Sequence, residues 1–195
     1  MKILALGTLL FLGFSMAAAS MEYPANSVIF NGAFGAGTFS AGEHDDGSVF
    51  WGGSLSADWI PSGKTGISYG IESGLGGGKT GDTAVFGIPV IFRLGWHPKF
   101  IRSECIDIFL LGKIGWAFGV WGPQLDEDAV PNGIVCGINI GGRYVFTPVI
   151  GAYAEIGYTY YGLARNSKHP DYPLGYGSGK IYGSAGISIF IRHRK

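Results

Sequence analysis

The feature that most narrows what this chain can fold into is a period of two. Near the C-terminus, Ile181, Ala185, Ile187, Ile189 and Ile191 share one side of an extended segment with Gly183, while Tyr182, Ser184, Gly186, Ser188 and Phe190 share the other. Such alternation describes a strand whose two faces meet different surroundings. Seven earlier stretches repeat it. Taken together, the second faces are largely Gly, Ser, Ala and Tyr with few charges, where a soluble half-buried sheet would offer Lys, Glu and Thr to water. A small-grained wet face suits the lumen of a narrow closed barrel, and a continuous apolar face suits lipid. The sequence therefore predicts an all-β fold: an eight-stranded, antiparallel, up-and-down transmembrane β-barrel.

Composition agrees. Hydrophobic residues are 47% of the chain and charged residues 14%, with 35 Gly and 14% aromatics; a soluble domain carries roughly 25% charged residues. A formal net charge of zero gives no case for a nucleic-acid partner. The N-terminus has Lys2, an apolar run from Ile3 to Ala18 and the small-residue motif Ala17-Ala18-Ala19. This reads as a secretory signal peptide over 1–19, cut after Ala19 or after Ser20. The run falls short of the roughly 20 apolar residues of a spanning helix, and no Cys follows it, which excludes lipoprotein processing. Residues 20–195 are then one barrel domain.

Strand one is expected over Ser27 to Phe39, with Val28, Phe30, Phe34 and Ala36 outward and Asn31, Ala33 and Gly35 inward. The same parity gives the inward charged and polar set Asp58, Glu72, Arg93, Asp107, Lys113, Asn139, Arg143 and Glu155, the candidates for lining the lumen. Pro89 falls inside strand four. It cannot donate to a ladder, so a bulge is expected there. Cys105 and Cys136 sit near opposite rims of neighbouring strands, about 30 Å apart at ~3.3 Å per residue, beyond the ~7 Å limit for bridging Cα atoms. Both are expected as free thiols. An even strand count places both termini on one side, the periplasmic side. Longer loops around His44, Asp45 and Asp46, around Gly78, around Asp126, Glu127 and Asp128, and around Asp171 and Tyr172 would face outward and form the surface-binding candidates. Trp51, Trp59, Trp96, Trp116 and Trp121 fall near strand ends, as an aromatic girdle requires, with Trp116 the poorest fit.

The segment Ser184-Ala185-Gly186-Ile187-Ser188-Ile189-Phe190-Ile191 is similar to the C-terminal signal read by the barrel-assembly machinery, through Ser184, Gly186, Ile189 and Ile191. The usual terminal aromatic is missing and Arg192 to Lys195 follow. With the signal peptide and the strand count, the whole mature chain resembles the small eight-stranded outer-membrane barrels, OmpW-like and OmpA/OmpX-like. That resemblance implies insertion in a bacterial outer membrane. The partners it implies are membrane lipids and lipopolysaccharide or glycolipid, periplasmic chaperones and the assembly machinery. It implies a passive channel or conduit for small solutes, hydrophobic ones included. The alternative is a closed barrel serving surface interaction, adhesion or envelope integrity.

Other chemistries are weakly supported. Lipid-modifying barrels need a His paired with a Ser nucleophile and a carboxylate, and none of His44, His97, His169 and His193 stands in a His-x-Ser pattern on a strand. No enzymatic activity, cofactor or metal is expected. Gly76-Gly77-Gly78-Lys79-Thr80 lacks the spacing of a phosphate-binding loop. A soluble ligand-carrying barrel would need a charged exterior that the chain does not supply. An eight-stranded barrel is just wide enough for side chains to fill it, so the inward charges are expected to pair as a plug rather than line an open gated path.

Overall fold

The computed structural model describes residues 26–39, 49–63, 65–80, 83–98, 105–121, 133–162 and 177–191. Eight strands follow in chain order: β1 Ser27–Phe39, β2 Val49–Ser62, β3 Ile67–Thr80, β4 Thr83–Trp96, β5 Ile106–Trp121, β6 Gly133–Val145, β7 Ile150–Gly162 and β8 Gly177–Ile191. Each pairs antiparallel with the next, and β8 returns to β1, closing the sheet. The expected eight-stranded architecture is the observed one, with one correction: the longer loop expected around Gly78 is strand, because Gly76 to Thr80 continue β3 and pair with β4 as far as Thr80↔Thr83. The surface-binding candidates His44, Asp45, Asp46, Asp126, Glu127, Asp128, Asp171 and Tyr172, and the signal peptide expected over 1–19, lie outside the described residues.

Every strand turns hydrocarbon outward. Leu55 is 73% exposed and Ile138 71%, with Phe34, Ile71, Ile114, Ile156 and Ile181 similarly bare. Leaving such side chains in water forgoes about 1.5–3 kcal/mol each, so this belt is a lipid-facing surface. Closure follows from the same solvent, because an open strand edge in lipid leaves backbone groups unsatisfied. Near the rim that carries Ser27 and Ile191, here the near rim, Trp59 packs edge-on against Tyr69 with ring centroids 4.9 Å apart. Toward the far rim Phe34 stacks on Trp51 at 6.4 Å. Trp116, out of place by its position within β5, pairs with Ile134 at the start of β6. The stagger between those strands carries it to the far edge on that side.

The two prolines that fall within strands each leave a mark. The β2–β3 register shifts between Trp59 and Ser62, around Pro61. The β3–β4 ladder runs from Ile67↔Trp96 to Ser73↔Val90 and resumes at Gly76↔Gly87, unpaired where Gly74 and Leu75 face Pro89 and Ile88. Pro89 has no N–H to give to the ladder. In place of the bulge expected at Pro89 there is this gap toward β3; toward β5 its pairing with Ala117 is regular, and a separate register shift lies between Phe86 and Gly87. The shortest described turn, between β6 and β7, is held by Thr147, whose Oγ1 accepts from the Val149 and Ile150 N–H groups at 3.3 and 3.0 Å. Cys105 and Cys136 are free thiols.

The interior is layered. Ile29, Ile60, Val145 and Phe190 form an apolar floor at the near rim. Ile91, Ala117 and Val135 form a second apolar layer further along. Phe109, Leu111 and Tyr153 pack between these two layers, beside the polar side chains that fill the middle of the lumen.

Candidate functional site

The inward parity of each strand delivers one or two polar side chains to the middle of the lumen, and they meet around two cationic hubs. Arg93 of β4 is the first. Its guanidinium reaches Asp58 of β2 at 3.0 Å, Glu72 of β3 at closer range, and Glu155 of β7 at 3.7 Å. Lys113 of β5 closes the cage, with its Nζ 3.2 Å from Glu72 and 2.6 Å from Glu155. Asn139 of β6 donates to Glu155 Oε1 at 3.3 Å. Arg143 of β6 is the second hub. It donates to Asp107 of β5 at 3.1 Å, to Ser188 of β8 at 2.9 Å and to Asn31 of β1 at 3.2 Å. Its guanidinium lies over the rings of Phe109, Tyr153 and Phe190, 5.0 to 5.9 Å from their centroids, a favourable placement for a cation.

Asn31 ties the hubs together. Its Nδ2 donates to Asp58 Oδ2 at 2.9 Å and to Ser56 at 3.0 Å, while its Oδ1 accepts from Arg143 and, at 2.7 Å, from Ser188. The combined network takes a side chain from each of the eight strands. Arg93 is 2% exposed, and Asp58, Glu72, Asp107, Lys113, Asn139, Arg143 and Glu155 are all buried. Charges so poorly hydrated are tolerated only because each faces opposite charge or hydrogen-bond donors. Chemically the arrangement is a shutter: it crosses the lumen and leaves its charges less than a tenth of their surface open to water.

No protein-family model matches this chain, and no curated protein matches it in sequence. Among solved structures, Neisserial surface protein A overlays with a TM-score of 0.55 at 12% identity, over 86% of this chain and 97% of that one. The outer membrane protein OprG from Pseudomonas aeruginosa gives 0.54 at 7% identity, over 89% and 100%. The chain has the fold of the small eight-stranded outer-membrane barrels. The outer membrane protein AlkL also overlays, at 0.51 and 13% identity over 90% and 95%.

This outer-membrane-type barrel holds one constellation that the sequence did not announce. His97, just before Pro98, continues the inward parity of Gly95, Arg93 and Ile91 one step past β4, and it is buried. Its Nδ1 lies 2.8 Å from Asp107 Oδ2 and its Nε2 3.0 Å from Ser68 Oγ. The backbone fits around it: the His97 N–H donates to the Gly66 carbonyl at 2.6 Å, at a glycine whose φ of +66° few other residues adopt. At Gly95, an added Cβ would collide with Ser68 Oγ and lie 3.3 Å from His97 Nε2, so the missing side chain makes room for the contact. The connectivity is that of a Ser–His–Asp triad. Ser68 is only 1% exposed, however, and Asp107 also serves Arg143, so the three act as a rim brace continuous with the shutter. Counting parity through residue 97 would have found His97; nothing in the sequence spacing links it to Ser68.

In β8, Ser184 and Gly186 face inward, and Ile189 and Ile191 outward. Gly186 stands where a Cβ would strike the Gly32 carbonyl of β1. Small size at this position is thus a packing requirement of the β8–β1 closure.

Proposed function

We propose that the protein is an integral outer-membrane barrel and a passive conduit for small hydrophobic solutes, which leave it sideways into the lipid rather than along the axis. Its near rim, with both termini, would face the periplasm. The observation that carries this reading is the relation between shutter and seam. The axis is crossed by a network from all eight strands, whereas the wall has a lapse in hydrogen bonding where Gly74 and Leu75 face Pro89 and Ile88. That lapse lies at the level of the apolar layer: Pro89 pairs with Ala117, and Ile91 with Gly115. A solute entering from the far side would meet Ile91, Ala117 and Val135 before the buried charges of Arg93 and Lys113, beside the gap in the β3–β4 ladder.

A disulfide staple tests it. Ser73 and Val90 are direct cross-strand partners at the edge of the lapse, within the Cα separation a disulfide spans. Ser73→Cys with Val90→Cys, in a chain whose Cys105 and Cys136 are replaced by Ser, should halt uptake of an alkane-like tracer into vesicles when oxidised and restore it on reduction. Equal uptake in both states would refute the lateral route.

A second reading, a closed barrel serving surface interaction or envelope integrity, draws on the completeness of the shutter itself. It predicts no tracer uptake even by the reduced protein. In either reading the lipid belt would contact membrane lipid and lipopolysaccharide, and Ser184, Gly186, Ile189 and Ile191 would present the assembly signal to the barrel-assembly machinery.

A further inference from the structure

The rim brace and the central cage are one path of hydrogen bonds that ends in an ion pair. Ser68 meets His97, His97 meets Asp107, Asp107 meets Arg143, Arg143 meets Asn31, Asn31 meets Asp58, and Asp58 meets Arg93. Among the described buried side chains there are four carboxylates, Asp58, Glu72, Asp107 and Glu155, against three permanent cations, Arg93, Lys113 and Arg143. The remaining buried ionisable group on the path is His97, an imidazole that can take or release a proton without leaving its place. A hydrolytic role for the same three residues is not supported, because a serine 1% exposed offers no approach to an ester carbonyl.

We propose that His97 is a proton-operated latch at the near rim, which sets the hold of Asp107 on Arg143 and through it the tightness of the lumen shutter. The chemistry requires one shared atom. Asp107 Oδ2 is 2.8 Å from His97 Nδ1 and 3.1 Å from Arg143 Nη1, so one oxygen accepts from both donors and feels the charge of each. With a neutral ring, Nδ1–H donates to Asp107 and the Ser68 hydroxyl donates to Nε2. With a protonated ring, Nε2–H donates and Ser68 Oγ accepts, while the carboxylate faces two full positive charges. The added positive charge weakens the hold of Asp107 on Arg143, which then rests more on the bonds it already makes to Asn31 and Ser188. Acid thus tightens the grip across the lumen, from β6 to β1 and β8.

The groups that face the ring are identified from each element around it. From β3 it meets Ser68, from β5 Asp107 and the Phe109 ring at 5.6 Å. From β6 it is reached by Arg143 through Asp107, while the Gly66 carbonyl of the β2–β3 turn takes the His97 backbone N–H and not the ring. Lys99, Arg102 and Glu104, which follow it in sequence, lie outside the described residues.

The test is nitrogen NMR of the full chain refolded in lipid bilayers, titrated between about pH 8 and about pH 5, the interval in which imidazole side chains generally change charge. The expected result is that the Arg143 side-chain nitrogens shift with the same midpoint as the His97 ring nitrogens, and that this shift is lost in H97Q. Asp107→Asn, which retains a carbonyl oxygen for both donors but removes the charge, should uncouple the two titrations and serves if H97Q does not fold. A His97 ring that titrates while Arg143 stays fixed would overturn the proposal, as would a ring that keeps one state throughout. The readout needs no solute movement, so it stands or falls separately from the conduit.

Discussion

Replacing Arg93 with Met removes the cation that three strands share. At an effective dielectric of about 20, each ion pair at the observed separations amounts to roughly 4–6 kcal/mol of Coulomb attraction. Much of that is offset in the wild type by the cost of dehydrating the guanidinium, so the sum is not the expected effect. What decides the outcome is the remainder: Asp58, Glu72 and Glu155 stay buried, with Lys113 the described cation still facing the latter two. Removing one partner from a buried charge pair costs about 3–5 kcal/mol, and that is the loss expected here. Urea unfolding in lipid vesicles, followed by the heat-modifiable gel shift, measures it. Adding Glu72→Gln should return part of the loss, because one stranded charge disappears, so the double variant is more stable than the sum of the singles predicts. A loss under about 1 kcal/mol, the range of an exposed ion pair, would mean that the lumen is hydrated and the shutter reading is wrong.

Further expectations are independent of that one. Gly186→Ala should cost about 1–3 kcal/mol, the usual penalty for overpacking, because its Cβ meets the backbone of Gly32 rather than a movable side chain; the same unfolding assay reads it, and an unchanged midpoint would contradict the close approach of β8 to β1. Ser68 should remain unlabelled by a fluorophosphonate probe in the folded protein, as judged by mass spectrometry of the intact chain; stoichiometric labelling would show a reachable nucleophile and revive an enzymatic reading. Thiol titration of the unfolded chain without reductant should count two free thiols, whereas a count of zero would indicate a bridge that this geometry forbids.

Much of this architecture was legible because a period of two is blunt and long. Eight alternating stretches fixed strand number, parity and therefore which face Asp58, Arg93 or Arg143 takes; the match of β1 to Ser27–Phe39 comes from the same signal. Parity does not carry partner choice. That Arg93 reaches Glu155 across the lumen, or that Arg143 reaches Asn31, depends on barrel closure and strand stagger, which bring together residues far apart in sequence. His97 shows the limit most clearly. A His before a Pro reads as a turn, yet the inward phase continued through it, and the space that admits the Ser68 contact comes from a glycine, Gly95, two residues earlier. Trp116 illustrates the converse: it looked misplaced in β5 until the β6 register set it beside Ile134. Pro89 signals a fault in the ladder by its missing N–H alone, but which neighbour loses its pairing depends on which way that N–H would have pointed.

The central claim, a lipid-embedded barrel whose axis is shut by paired charges, is tested most directly by single-channel recording of the refolded protein in a planar bilayer. The account predicts an electrically silent membrane at neutral pH, with protein insertion verified by the gel shift. Discrete, reproducible conductance steps from the wild-type chain would contradict it, since ions would then be passing a lumen that the network around Arg93 and Arg143 is said to close.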